Sequence, residues 1–159
     1  NAAEDHLKAL KKKGFIDILS GTSRGISLSD HDDSIPLIGL VSAGSPMLAE
    51  ENVEKRIPAL PISSHGIDYY LRVKGDSMID VGIFDNDLIA VNKDLKVKKN
   101  TIVIARIDDD VTVKTLIEIS TNKVVLKAEN KDYDDIVINP KKVNLNFEGT
   151  CVGLIRNIS

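Results

Sequence analysis

Hydrophobic positions in this 159-residue chain change period along its length. Ala3, Leu7 and Leu10 recur at helical spacing and share one face of an opening helix. Lys11, Lys12 and Lys13 suit the negative end of its dipole, and Gly14 supplies a natural stop. Phe15 to Leu19 and Gly25 to Leu28 then read as two short strands, with Ser20-Gly21-Thr22-Ser23-Arg24 as their turn. One helix and a hairpin bury little surface, so this segment is expected to be the remnant of a larger unit. Residues 29–36 are polar, acidic and closed by Pro36, which is the pattern of a linker.

From there the period is that of strands. Tyr69, Leu71 and Val73 alternate with Tyr70, Arg72 and Lys74. Leu88 to Asn92 and Thr101 to Ile107 are apolar runs, and Asp108-Asp109-Asp110 turns the chain into Val111 to Ile119. Further strands are expected at Lys123 to Ala128, Ile136 to Asn139 and Asn144 to Asn157. The fold class is therefore mainly β, with curled or barrel-like sheets from about residue 37 onward. The expected organisation is a helix and hairpin at 1–28, a linker at 29–36 and a β-rich domain at 37–159.

Composition sharpens this picture. Hydrophobic residues make up 42% of the chain, enough for a core, while aromatics are 4% and Trp is absent. The core must rest on Val, Ile and Leu, which favour strands. A net charge of -3 gives no global attraction to phosphate, so any nucleic-acid affinity must be local. The single cysteine, Cys151, lies in an apolar run and reads as a small buried hydrophobe in a reducing compartment. No stretch approaches the roughly 18 apolar residues of a membrane span, and there is no signal peptide. A cytoplasmic protein is expected, with no membrane partner.

Three segments carry candidate chemistry. Ser77 follows Gly75-Asp76 at the end of a strand, where a hydroxyl can be presented beside free backbone N–H groups. The same pattern also serves as a simple turn or cap. Lys114 lies in Val111-Thr112-Val113-Lys114-Thr115-Leu116, on the face opposite Val111 and Val113. It is either solvated on the outer face or buried. Burial disfavours the charged amine, whereas a free lysine is neutral in only about one part in a thousand near pH 7.4. The third segment, Ile38 to Pro46, places small residues at Ala43-Gly44, where another group can approach the backbone; Ile38 and Val41 suit shallow pockets. It is equally a strand ending in a turn. His6, His31 and His65 form no triad and no zinc spacing, so neither a metal nor a cofactor is expected. Asp85-Asn86-Asp87 and Asp108-Asp109-Asp110 read as solvated turns.

In combination, these segments resemble the LexA family of self-cleaving repressors of DNA-damage (SOS) genes. The order carries the resemblance: Val41-Ser42-Ala43-Gly44, then Leu71 to Met78, then Ala105 to Lys114, then Val152 to Asn157. It implies Ser77 as nucleophile, Lys114 as its base and Ala43–Gly44 as the scissile bond. It further implies Asp76 and Ser77 N–H groups as the oxyanion hole. The implied partners are a RecA–single-stranded DNA filament that stimulates cleavage, operator DNA, and a second copy of the chain paired through Asn144 to Asn157. Asn1 to Leu10 resembles the recognition helix of a winged helix-turn-helix and Ile16 to Leu28 its wing. Asn1, Ala2, Glu4 and Asp5 would then face base edges. The family usually has Glu where Asp5 stands, and the helices expected before Asn1 are absent, so weak operator binding by this chain is expected.

Other readings use the same residues. A type I signal peptidase shares a Ser–Lys pair but needs a membrane anchor. A UmuD-type mutagenesis subunit shares the peptidase domain without the winged-helix segment. A dimerisation module with a vestigial pair would not cleave at all.

Overall fold

The computed structural model of the chain describes residues 1–13, 16–18, 25–28, 34–59 and 66–159, which divide between two units, Asn1–Asp33 and Ser34–Ser159. In the first, helix α1 (Ala2–Lys12) starts at a capping box. The Asn1 side chain accepts the Glu4 N–H, and the Glu4 carboxylate accepts the Asn1 backbone N–H. Lys11 and Lys12 fall in the last turn, where they meet the carbonyl end of the dipole. No residue of α1 is buried, and Leu10 on its apolar face is exposed. Strands β1 (Ile16–Ile18) and β2 (Ile26–Leu28) pair antiparallel, with Ile16 opposite Leu28. Gly14, Phe15, Leu19, the turn at 20–24 and residues 29–33 lie outside the described residues.

The second unit is one nine-stranded sheet. Its strands are β3 (Ser34–Ile38), β4 (Val53–Pro58), β5 (Tyr69–Arg72), β6 (Leu88–Asn92), β7 (Ile102–Ile107), β8 (Asp110–Ile119), β9 (Val124–Lys127), β10 (Ile136–Ile138) and β11 (Leu145–Ile155). Their order across the sheet is β10-β9-β8-β7-β11-β6-β5-β3-β4. All pairs are antiparallel except β3 with β5. The chain is mainly β, as its period-2 runs require.

Two sequence expectations fail here. Ser34-Ile35-Pro36, assigned to the linker, belongs to β3, where Ile35 is buried and Ser34 pairs with Pro58. Proline is tolerated because β3 exchanges with β5 only at Leu37 and Ile38, beyond Pro36. Strand β4 was not anticipated. It is an edge strand with Glu54, Lys55 and Arg56 exposed, so it lacks the alternation that marks a half-buried strand.

The core lies on both sides of this sheet. One cluster joins Ile38, Tyr69, Leu71, Met78, Ile89 and Ile104 beneath the Ser77 loop. A second gathers Val103, Leu116 and Leu126 around β7, β8 and β9. Asp87 is also buried, not solvated as expected of an acidic turn. Its carboxylate is held by Arg156 Nε and Nη2 at 2.7 and 2.6 Å and accepts the Phe84 N–H. The Arg156 hydrogen bonds keep it below the usual carboxylate range. No described helix is long and apolar enough to cross a membrane.

Strand β11 changes partner midway, from β7 over residues 145–150 to β6 over residues 150–155. Gly149 makes the transfer, with φ +149. A Cβ there would collide with Val91 Cγ1 and lie 2.8 Å from the Asn92 carbonyl oxygen. Gly149→Ala is therefore expected to destabilise the unit by about 2–3 kcal/mol through strain and clash, read as a lower urea midpoint.

Candidate active site

Ser77 stands on a loop whose backbone is tied down before it and after it. Val73 N–H donates to Asp87 O (2.8 Å) and Asn86 N–H to Val73 O (2.9 Å), closing the end of β5. Gly75 then reverses the chain at φ +80, a conformation other residues adopt only with strain, and its N–H donates to Asp85 Oδ1 at 2.7 Å. After Ser77, the buried Met78 side chain anchors the loop in the core, and a single helical turn at Ile79–Val81 follows. Asp85, expected to be only a solvated turn residue, is thus a support of the loop.

Lys114 reaches this loop from β8, where it pairs with Val103. The inward orientation holds: the residue is only 7% exposed. Its Nζ lies 3.0 Å from Ser77 Oγ, 2.8 Å from Thr112 Oγ1 and 3.0 Å from Val113 O. Among the described residues no carboxylate forms an ion pair with it, and burial lowers its pKa below the ordinary lysine range. A neutral amine has two N–H bonds and one lone pair. Val113 O and Thr112 Oγ1 accept the two, which leaves the lone pair for the Ser77 hydroxyl proton. Chemically, a hydroxyl in contact with an amine of lowered pKa is an arrangement that can supply a nucleophile and its base.

Among the described residues, Asp76 N–H and Ser77 N–H donate no hydrogen bond, so both are free to bind an oxyanion. A cavity of about 250 Å³ opens beside Ser77, lined by Gly39, Leu40, Val41, Leu71 and the 109–113 edge of β8. Val41, expected to fill a shallow pocket, is half-buried and lines this cavity. Ile38 does not: it is a wholly buried core residue of β3, fixed by pairing with Leu71 and Val53.

Ala43 and Gly44 are exposed on the loop from β3 to β4. Asn52, only 2% exposed, holds this loop from inside: its Oδ1 accepts Ser42 N–H, and its Nδ2 donates to Ser45 Oγ and Pro46 O. Gly44 N–H donates to Asp109 Oδ1 at 3.0 Å. Asp109 precedes β8, five residues from Lys114, whose amine folds back to Thr112. The Ser77–Lys114 contact is formed, while among the described residues neither Ala43 nor Gly44 has a hydrogen bond to either side chain.

Asn52 and Thr112 were not singled out from the sequence, and Asp109 was read only as a solvated turn, where it does stand exposed. A buried Asn or a turn Asp has no signature beyond its neighbours, although Thr112 shares the Lys114 face at period 2. In α1, Asn1, Ala2, Glu4 and Asp5 are exposed, and Asn1 and Glu4 engage each other in the cap. His6 Nδ1 is 2.6 Å from Ala2 O; His31 and His65 lie outside the described residues. Burial raises the thiol pKa of Cys151, the expected behaviour of a small packed residue. Among the described residues, no group of His, Cys, Asp and Glu could hold a metal ion.

Comparison with known proteins agrees with this geometry. The Peptidase S24-like family model matches residues 36–152, and the LexA DNA binding domain model matches residues 1–25. The LexA repressor of Shewanella woodyi is 49% identical over 162 residues, covering 99% of this chain and 78% of the relative. That of Erwinia tasmaniensis is 50% identical over 159 residues, covering 99% and 78%. The match at residues 1–25 separates the chain from signal peptidases and from mutagenesis subunits without a winged-helix segment. With both segments matched in order along nearly the whole chain, the protein belongs to the LexA repressor family and carries an S24-like peptidase domain.

Proposed function

We propose that this repressor inactivates itself by cutting its own Ala43–Gly44 bond with Ser77 and Lys114. The observation that carries the reading is the 3.0 Å contact between Ser77 Oγ and the buried Lys114 amine. The Ser77 proton passes to Lys114 Nζ as Oγ adds to the Ala43 carbonyl carbon. The carbonyl electrons move to oxygen, facing the Asp76 and Ser77 N–H groups. The carbon–nitrogen bond then breaks, the proton on Nζ goes to the Gly44 nitrogen, and Ala43 is left as an ester on Ser77. Water, deprotonated by Lys114, hydrolyses that ester and restores the pair.

The segments serve this cycle in turn. Residues 1–28 are the DNA-reading part, with Ala2 and Asp5 free at the helix start and Asn1 and Glu4 able to exchange their mutual bond for base edges. Residues 29–33 connect, and residues 34–159 cleave and dimerise. In β11, residues 151–155 pair with β6 along one edge, which leaves the other for a second copy. Two copies suit a palindromic operator, and the cut at Ala43–Gly44 separates DNA reading from dimerisation. The activator is a RecA–single-stranded DNA filament, acting by preferring the loop position in which Ala43 meets Ser77.

Purified chain held at pH 10 is expected to yield two fragments split between Ala43 and Gly44, resolved by mass spectrometry. The rate should rise about tenfold per pH unit and level off below the ordinary lysine range, since Lys114 must lose its proton first. Ser77→Ala and Lys114→Ala should each abolish the cut; persistent cleavage in either removes the assignment.

Stability should show the same group. Lys114 binds its proton less readily folded than unfolded, so it costs stability below its folded pKa. That cost disappears as pH rises from the lowered value to the ordinary one. Lys114→Met is thus expected to raise Tm by on the order of a few degrees at pH 7, with a smaller gain at pH 10.

Asp109→Ala removes the acceptor that holds the Gly44 amide at rest. Self-cleavage at pH 7.5 should accelerate about fivefold, the worth of roughly 1 kcal/mol for one exposed hydrogen bond. An unchanged rate would show that this bond does not hold the loop back.

A further inference from the structure

The loop carrying Ser77 is gripped on its far side by the segment between β9 and β10. Asn130 Nδ2 donates to the Asp76 carbonyl oxygen at 2.9 Å, Tyr133 O–H donates to the Asp76 carboxylate, and Asp80 N–H donates to Glu129 O at 2.8 Å. Asn130 is 5% exposed. Its own Oδ1 accepts Asp132 N–H at 3.0 Å, so the amide cannot turn over: with the oxygen committed to Asp132, the nitrogen must face Asp76.

The consequence lies in one peptide plane. The Asp76 C=O and the Ser77 N–H belong to the same peptide group, and no described peptide bond is cis. In a trans peptide the two point in opposite directions. Asn130 and Tyr133 line a separate cavity with Asp80 and Lys127, which shares no lining residue with the cleft beside Ser77. A carbonyl held toward Asn130 therefore turns the Ser77 N–H toward the cleft. A hydrogen bond accepted by that carbonyl also polarises the peptide and strengthens its N–H as a donor.

We infer that Asn130 is a positioning residue for the cleavage reaction: by holding the Asp76 carbonyl, it aims the Ser77 N–H at the oxygen of the attacked Ala43 carbonyl. This rests on the proposed roles of Ser77 and its oxyanion hole. Asn130 touches no reacting atom. Its loss frees the 76–77 peptide to rotate while Ser77 Oγ and Lys114 remain in contact.

The test follows alkaline self-cleavage of the full 159-residue chain against pH, beside reaction of Ser77 with a small alkyl phosphonofluoridate. That reagent needs the Ser–Lys pair and the oxyanion hole but no docked loop. Asn130→Ala should lower the high-pH plateau of both reactions at least tenfold, while the pH midpoint set by Lys114 stays in place. Asn130→Asp keeps the Asp132 bond and the side-chain volume but has no donor at alkaline pH. It should show the same loss, and it carries the test if the alanine variant does not fold. A plateau within tenfold of the parent, a loss explained by a shifted midpoint, or a loss confined to self-cleavage would each overturn the inference. Cleavage surviving in Ser77→Ala is a different failure, that of the nucleophile assignment.

Discussion

An amine removed from water with no anion beside it destabilises the protein that buries it, and among the described residues Lys114 is in that position. The surrounding structure can be understood as what holds it there. Strand β8 pairs with β7 at Lys114 itself and with β9 from Thr115 onward, so its backbone cannot swing Lys114 outward without breaking the β7 ladder and straining the start of the β9 one. Thr112 Oγ1 and Val113 O satisfy the N–H bonds that water would otherwise take. The neutral form is favoured because the charged form is penalised, not because a partner attracts it.

On the proposed reading, a base in contact with a nucleophile, in the same chain as its substrate, would not remain unreacted without a further constraint. Tethering removes the diffusional encounter, and good alignment supplies on the order of 7–11 kcal/mol of a barrier. The restraint visible in the structure is positional. Asn52 keeps residues 42–46 as a formed loop, and Asp109 accepts the Gly44 N–H at its tip. Keeping the loop formed has a second effect. Little chain entropy remains to be lost when the loop moves, so a modest preference from a partner shifts its position.

Most of the strands were legible because one buried face imposes period 2, and Leu88 to Asn92 is read to the residue. Strand β4 and the start of β3 were not, for opposite reasons. The edge position frees β4 from needing hydrophobic residues, and an acidic, proline-closed run hides a strand that pairs on its far side. The Ser77–Lys114 pair was legible through the order of four segments, not through either residue alone. What the sequence withheld were the polar supports: Asp85, Asp87 and Asp109, read only as solvated turns, and Asn52 and Asn130, whose partners are distant or backbone groups. A side chain that binds a carbonyl or an amide leaves no complementary residue to find.

These supports divide the site into a part that is fixed and a part that is not. Ser77 is held by Gly75 and Asp85 on one side and by Asn130 on the other, and Lys114 by its strand. Residues 39–52 are joined to the sheet at both ends, yet their tip rests on one exposed hydrogen bond to Asp109. Control exerted on the fixed part would have to disturb a core that the whole sheet stabilises, at a cost of several kcal/mol. Control exerted on the loop has that bond and the Asn52 hydrogen bonds to overcome, none of them part of the sheet ladders. On the proposed reading, an activator therefore has no need to assemble the catalytic pair or to alter the Lys114 pKa. It needs only to bind the chain better when the Ala43 carbonyl lies at Ser77, and the chemistry already in place does the rest.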